Sequence, residues 1–367
     1  MFYHFFYPLR TELSGFNIFQ YITFRASMAA ITALFISFVI GPKIINYLKN
    51  KNIEENIRSD GPESHNLKKG TPTMGGIIIL FAVILPTLLW ANLSNIYIHI
   101  ILVATLWMGL VGFLDDYQKN VKKRKKGLIA RYKLAGQIGL GLIIGLWLLS
   151  SDQFTGIWSI TSVPFFKNLE IDFGYFYLPW VIFVVTATSN AVNLTDGLDG
   201  LASGLLAICA IAFAGIAYIS GRIDFSQYLN IVYLPGAGEL AIFATALMGA
   251  CLGFLWFNAP PAQIFMGDTG ALAAGAALGT LALLLKKEFV LLIIGGVFVM
   301  EVASVIIQLF YFRRTKKRFG EGKRFFRMAP IHHHFELKGW NESQIVVRFW
   351  IIGILFALMS LSTFKIR

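Results

Sequence analysis

The chain has 367 residues, of which 56% are hydrophobic and only 14% charged, and its mean hydropathy is +0.65. This composition excludes an ordinary water-soluble domain and indicates a protein that crosses a membrane several times. A net charge of +12 would suit a nucleic-acid-binding protein, but 23 of the 32 Lys and Arg residues lie in three stretches, 43–69, 119–133 and 313–338. Such clustering is typical of cytoplasmic loops and argues against a nucleic-acid partner.

Apolar stretches of about 20 residues predict ten transmembrane helices, so we expect one all-α membrane domain over residues 1–367. In chain order the predicted spans are 20–42, 73–93, 97–116, 129–150, 174–190, 199–219, 238–257, 269–286, 288–312 and 344–364. Placing the basic stretches in the cytoplasm puts both termini outside it. The outer loops are predicted to serve packing and interfacial anchoring, without a dense polar cluster. The N-terminus lacks the features of a secretory signal, so no processing is expected.

Asp115 and Asp116 stand together at the cytoplasmic end of the third predicted helix. Ionised groups close to hydrocarbon are costly and usually mark a functional site. Adjacent helical positions point about 100° apart, so one acid is expected to work and the other to support it. The alternative is a solvated pair neutralised by the basic run that follows, although acids at a helix C-terminus oppose the helix dipole and need compensation.

Polar residues recur at every third position in NAVNLTDGLDG, namely Asn190, Asn193, Asp196 and Asp199. This spacing places them along one side of a helical segment, where they could line a ligand channel. Gly197 allows a ligand or another backbone to approach closely. The alternative is a polar turn between two helices, because Asn, Asp and Gly are ordinary turn formers.

The segment NAPPAQIFMGDTG brings Asn258 and Asp268 to the start of an Ala- and Gly-rich helix. Asp268 could cap that helix, bind a metal ion, or do both. Phe265 could stack on a base or anchor the chain at the membrane interface. Carboxylates that converge at one membrane face predict Mg²⁺ and phosphate chemistry, because hard cations prefer oxygen ligands. We therefore predict a membrane-embedded phosphotransferase.

Two further segments are candidates for substrate binding. Lys68 and Thr73 lie before the second predicted helix, where lysine and backbone N–H groups favour an anion, although membrane topology alone also explains a basic flank. His332, His333 and His334 are consecutive and have no HExxH or cysteine partner, so a zinc site is not expected. We predict instead a loop whose imidazoles contact a diphosphate or sugar.

Six motifs, in order, resemble the bacterial phospho-N-acetylmuramoyl-pentapeptide transferase family over nearly the whole chain: GTPTMGG, FLDDYQK, GLIARYK, NAVNLTDGLDGLA, PAQIFMGDTG and RMAPIHHHFELKGW. The resemblance implies transfer of phospho-MurNAc-pentapeptide from UDP-MurNAc-pentapeptide to undecaprenyl phosphate, the first membrane step of peptidoglycan synthesis. Lipid I and UMP would be the products and Mg²⁺ the cofactor. It also implies the bacterial inner membrane, periplasmic termini, an active site that faces the cytoplasm, and a possible homodimer.

The resemblance assigns roles residue by residue. Asp115 and Asp116 match the family's essential pair, and Asp268 matches its magnesium-binding carboxylate. Residues that match the substrate-binding positions are Lys68, Thr73, Lys133, Asn190, Asn193, Asp196, Gly197, Asp199, Asn258 and Phe265, with His332, His333 and His334 as the signature of the muramoyl enzymes.

Several alternatives stay open at the sequence level. Asp115 could act as a base, position a substrate or bind a second metal ion, and a two-step route would have a carboxylate such as Asp268 attack phosphorus first. A related enzyme that uses UDP-GlcNAc would need the same metal and lipid chemistry. A transporter or flippase would also carry acids within its helices, but the acids here cluster on one face and no duplicated halves are visible.

Overall fold

The computed structural model describes residues 1–54, 68, 70–124, 127–166 and 169–366. These residues form a bundle of α-helices with one small β-hairpin. The helices are α1 Phe2–Phe6, α2 Ile22–Asn50, α3 Gly76–Trp90, α4 Ile96–Asp116, α5 Ala130–Ser150, α6 Tyr177–Thr195, α7 Leu201–Ser220, α8 Ile223–Leu229, α9 Glu239–Asn258, α10 Gly267–Leu284, α11 Glu288–Ile294, α12 Gly296–Phe319, α13 Ile331–Glu336 and α14 Glu342–Ile366. The strands are β1 Ile160–Ser162 and β2 Glu170–Asp172, and a π-helical turn, Tyr117–Val121, follows α4.

The all-α, polytopic fold predicted from hydropathy is confirmed. Within the described ranges, nine helices are long and apolar enough to cross a membrane, and α3, with 15 residues, is a shorter apolar helix at the second predicted position. The predicted span 288–312 is wrong in detail, because α11 and α12 divide it at Gly295. Two successive glycines weaken a helix, and a Cβ at Gly296 would lie 2.6 Å from the ring of Phe356 in α14.

Helix α10 forms the centre of the bundle. Its residues from Thr269 to Leu284 are all buried, and its many Ala and Gly side chains allow α3, α4 and α6 to pack closely around it. The contact with α4 is closest at Gly112, where a Cβ would lie 2.3 Å from the carbonyl oxygen of Asp268. This close approach of two backbones brings the C-terminal end of α4 beside the N-terminal end of α10.

A polar cluster lies at the other end of α10, where the sequence predicted none. The side chains of Lys286, Lys287 and Glu288 are buried between α10 and α11. The antiparallel hairpin of β1 and β2 covers them, and Lys287 Nζ donates to Ser162 Oγ at 2.7 Å. The hairpin could not be recognised because each strand has only three residues.

Met1 and Phe364 both lie at the end of the bundle away from Asp268. The Met1 ammonium donates to the carbonyl of Leu88 at 2.6 Å, near the end of α3. The Phe364 ring lies 5.8 Å from Lys287 Nζ, beyond the end of α10. An even number of spans is consistent with this arrangement, and the assignment of that end to the periplasm stays a prediction from the loop charges.

Candidate active site at the ends of α4 and α10

Three carboxylates meet where α4 ends and α10 begins. Each of Asp115, Asp116 and Asp268 has an oxygen within 4.8 Å of the others. Asp115 and Asp116 are only 3% and 1% exposed, so they are not a solvated pair of surface acids. Two buried acids and a partly buried third so close together require compensating partners.

Asp116 is compensated by the N-terminus of α10. Its Oδ1 accepts the N–H of Asp268 at 3.1 Å, and its Oδ2 accepts the N–H and the hydroxyl of Thr269 at 2.8 and 2.6 Å. Gly267 has φ of +71°, and a Cβ there would lie 2.8 Å from Asp116 Oδ2, so glycine is needed for this close contact. The side-chain carboxylate of Asp116, at the C-terminal end of α4, therefore caps the positively polarised N-terminal end of α10.

Asp115 and Asp268 share a lysine. Lys133 Nζ, from the first turn of α5, lies 2.8 Å from Asp115 Oδ2 and also donates to Asp268 Oδ2. Asp115 Oδ1 accepts the N–H of Leu128 at 2.6 Å, and Asp268 Oδ1 accepts the amide of Asn193 at 2.8 Å. Side chains from α4, α5, α6 and α10 thus converge on one acidic site.

A second charged group ties the segment before α3 to the start of α7 and α14. Lys68 Nζ donates to Asp199 Oδ1 at 2.7 Å and to Glu342 Oε1 at 2.6 Å. Burial alone would lower the pKa of the Lys68 ammonium, but the carboxylates of Glu342 and Asp199 outweigh it and raise the pKa above its ordinary value. Glu342 also accepts the N–H of Asp199 at 2.7 Å.

The segment 258–266 is held by main-chain contacts on both sides. Asn258 is buried, and its side chain accepts the N–H of Gly200 at 3.0 Å and donates to the Ile264 carbonyl at 2.9 Å. Phe265 N–H donates to the carbonyl of Pro72 at 2.9 Å. These contacts bring the predicted residues Asn258 and Phe265 next to the segments that carry Asp199 and Thr73, and they give Asn258 a structural role.

The sequence is similar to known proteins over nearly its whole length. A family model described as Glycosyl transferase family 4 matches residues 98–286, and phospho-N-acetylmuramoyl-pentapeptide-transferase signature 1 matches residues 68–80. The phospho-N-acetylmuramoyl-pentapeptide-transferase of Chlorobium chlorochromatii is 56% identical over 351 residues, covering 96% of this chain and 95% of its own. The protein of that name from Thermodesulfovibrio yellowstonii is 52% identical over 369 residues, covering all of both chains.

The chain belongs to the phospho-N-acetylmuramoyl-pentapeptide-transferase family. The resemblance predicted from six motifs is therefore confirmed. Signature 1, at residues 68–80, includes Lys68, Thr73 and the first turn of α3. Thr73 is buried, and its N–H donates to the carbonyl of Ile53 at 3.3 Å.

The three histidines of the transferase chain lie in helix α13, so the predicted loop is wrong. His332 is fully buried, and its Nδ1 lies 3.0 Å from Oε2 of Glu301 in α12, which is buried as well. A Cβ at Gly197 would lie 2.4 Å from His332 Nε2, so glycine is required where the 196–200 turn packs on this ring. His333 pairs with Glu336 at 2.7 Å, and His334 Nδ1 accepts the N–H of Arg327 at 3.1 Å.

The remaining predicted residues lie on α6 and at its end. Asn190 is exposed and donates to Gln137 Oε1 at 3.2 Å, while Asp196 is partly exposed and ends α6. Sequence reasoning missed Glu342, Gln137 and Thr269. Glu342 is the first residue of the last span, and acidic residues are common in the first turn of a helix. No local feature of the sequence therefore indicated that it belongs to the site.

Proposed function

We propose that this chain transfers phospho-MurNAc-pentapeptide from UDP-MurNAc-pentapeptide to undecaprenyl phosphate, with lipid I and UMP as products. The observation that carries the proposal is the cluster of buried Asp115 and Asp116 with partly buried Asp268, at the ends of two spanning helices. Family membership supports the same reaction. Residues 1–367 act as one catalytic membrane domain, in the inner membrane, with the cluster at the cytoplasmic face; the basic loop after α4 supports that orientation.

The cluster fits Mg²⁺. Its donors are all carboxylate oxygens, which hard divalent cations prefer, and the ammonium of Lys133 alone does not balance three carboxylates. Asp268 is the ligand best placed to reach the substrate, because Asp116 is occupied as a helix cap. When bound, Mg²⁺ would neutralise charge on the diphosphate during transfer.

The side chains of the acidic site have different roles. Asp116 supports the site by fixing the start of α10, so that Asp268 and Thr269 keep their positions. Lys133 holds the acceptor phosphate beside Asp268, and Asp115 orients the Lys133 ammonium group. A phosphate monoester is mostly dianionic at neutral pH, since its second pKa is about 6, so a general base is not obligatory. Asp115 then positions the acceptor through Lys133 rather than deprotonating it.

The nucleotide part of the substrate is assigned to the neighbouring polar surface. Lys68 and Asp199 form its charged wall, and Asn193, Asp196 and Phe265 lie on the segments that border it. His332 acts from a buried position by supporting the turn at Gly197. A homodimer is part of the proposal on the strength of family resemblance alone.

The decisive experiment is an UMP-release assay in detergent with undecaprenyl phosphate and either UDP-MurNAc-pentapeptide or UDP-GlcNAc. We expect Mg²⁺-dependent turnover of the muramoyl substrate only. Turnover of UDP-GlcNAc alone would overturn the substrate assignment, and transport without UMP release would overturn the reaction class. Exchange of labelled UMP without the lipid acceptor would instead support a two-step route through a phospho-enzyme.

A further inference from the structure

The two side chains that hold Asp268 come from different helices. Lys133 of α5 contacts Oδ2 of Asp268, and Asn193 of α6 contacts Oδ1. Their positions on Asp268 therefore depend on how α5 and α6 are aligned with each other. A one-turn slip of α5 would move Lys133 by about 5 Å and break its contact.

A second polar contact joins the same two helices one turn further into the membrane. Gln137 follows Lys133 by four residues on α5 and is 2% exposed. Its Nε2 donates to Ser189 Oγ at 2.9 Å, and its Oε1 accepts from Asn190 Nδ2 at 3.2 Å. Both ends of this buried amide are thus satisfied by α6.

This contact specifies one alignment of α5 and α6. A buried amide in a spanning helix is costly without hydrogen-bond partners, so slipping or rotating α5 would leave Gln137 unpaired. The helices are also in close contact one turn further along, where a Cβ at Gly141 would lie 2.6 Å from the Cα of Ile182. Close backbones and a satisfied amide together restrict the movement of α5 on α6.

We propose that Gln137 is a positioning residue of the transferase, which acts by keeping Lys133 and Asn193 on the two oxygens of Asp268. The inference rests on the proposed function of the cluster. Gln137 makes its hydrogen bonds to Ser189 and Asn190 of α6, so its effect on Asp268 passes through α5 and α6. Groups that orient metal ligands typically contribute about 10- to 100-fold to activity or metal affinity, and Gln137, one step further away, should lie near the lower limit.

The test compares Gln137→Leu and Ser189→Ala with Thr280→Val as a matched control. Thr280 is a buried residue of α10, and its hydroxyl donates to the Ala276 carbonyl of the same helix, so the Val variant removes a buried hydrogen bond within one helix rather than between two. We measure kcat, KM for UDP-MurNAc-pentapeptide, the half-saturating Mg²⁺ concentration and, in EDTA, hydrogen exchange of residues 130–137.

We expect Gln137→Leu to lower kcat about tenfold and to raise the Mg²⁺ requirement, with little change in nucleotide KM. Ser189→Ala should act in the same direction but less strongly, and it should add nothing in the double variant, since Gln137→Leu already removes the hydrogen bond to Ser189 together with the one from Asn190. Hydrogen exchange of 130–137 should accelerate in these variants and not in Thr280→Val.

The inference would be overturned if Gln137→Leu had the same kcat, Mg²⁺ dependence and hydrogen exchange as the wild type. If Gln137→Leu fails to fold, Ser189→Ala alone decides between the two outcomes, because it removes only one hydroxyl. A wild-type protein that releases no UMP would refute the proposed function instead, and the exchange measurement in EDTA would still test the alignment of α5.

Discussion

Replacing Lys133 by methionine tests whether the acidic cluster requires a cation. Lys133 Nζ lies 2.8 Å from Asp115 Oδ2 and also contacts Asp268, with 26% of its side chain exposed. At an effective dielectric constant of about 20, the Coulomb attraction between two unit charges at that distance is roughly 6 kcal/mol, before the cost of desolvating them is subtracted. Breaking a buried ion pair costs about 3–5 kcal/mol, and partial exposure of Lys133 reduces the expected loss to about 2–3 kcal/mol.

The assay is thermal unfolding in detergent, in EDTA and with Mg²⁺. In EDTA the melting temperature of Lys133→Met should fall by about 3 °C or more, given the usual unfolding entropy per residue. When the Mg²⁺ concentration is about 100 times its Kd for the variant, binding adds roughly 2.7 kcal/mol to the free energy of unfolding. The melting temperature of Lys133→Met should then recover most of its loss. Wild type should gain less, because Mg²⁺ competes there with the ammonium group.

The control for Lys133→Met is Lys286→Met, at the opposite end of α10. Lys286 is also buried, and its Nζ donates to the Trp158 carbonyl at 2.8 Å and to the Tyr177 hydroxyl at 3.1 Å. Its loss should destabilise the protein without rescue by Mg²⁺. Equal Mg²⁺ stabilisation of all three proteins, or an unchanged melting temperature of Lys133→Met in EDTA, would refute the reasoning.

Four more outcomes follow from the same contacts. Asp268→Asn should abolish Mg²⁺-dependent UMP release while the melting temperature in EDTA stays close to wild type, because the loss of the Lys133 attraction is offset by relief of carboxylate repulsion. Asp116→Ala should lower the free energy of unfolding, measured with a denaturant, by about 2 kcal/mol, because it removes the cap of α10. His332→Ala should lower the free energy of unfolding by about 3 kcal/mol in the same assay, through the cavity left by its fully buried ring, and His334→Ala by less than about 0.5 kcal/mol. Partial burial, and then the charges of Lys338 and Arg327, lower the pKa of His334, so its contribution is present above its ordinary pKa of 6.5 and is lost as the pH falls; the hydrogen-exchange protection factor at Arg327, taken relative to the intrinsic exchange rate at each pH, should fall between pH 7.5 and 5.5.

The spans and the acids were predictable because both depend on local sequence. A helix needs about 20 apolar residues to cross a bilayer, and Asp115, Asp116 and Asp268 stand out because charge beside such stretches is costly. The sequence also predicted that acids at the end of α4 need compensation, and the cap of α10 by Asp116 supplies it. The cap itself was not predictable, because it joins residues 152 positions apart.

Partners distant in sequence account for the rest of what was missed. Lys68 and Glu342 are 274 positions apart, and no periodicity encodes their contact. The three consecutive histidines suggested an exposed binding loop, but tertiary packing places His332 inside the protein against Gly197. Helix-forming residues on both sides of Gly295 concealed the division between α11 and α12.

The most direct test of the account is the stoichiometry of Mn²⁺ binding, measured by electron paramagnetic resonance on purified protein. Mn²⁺ prefers the same oxygen ligands as Mg²⁺ and reports its own binding. The cluster of Asp115, Asp116 and Asp268 predicts one tightly bound Mn²⁺ per chain, displaced by excess Mg²⁺ and lost in Asp268→Asn. A wild-type protein that binds no Mn²⁺, or an Asp268→Asn variant that binds it as tightly as wild type, would contradict the account.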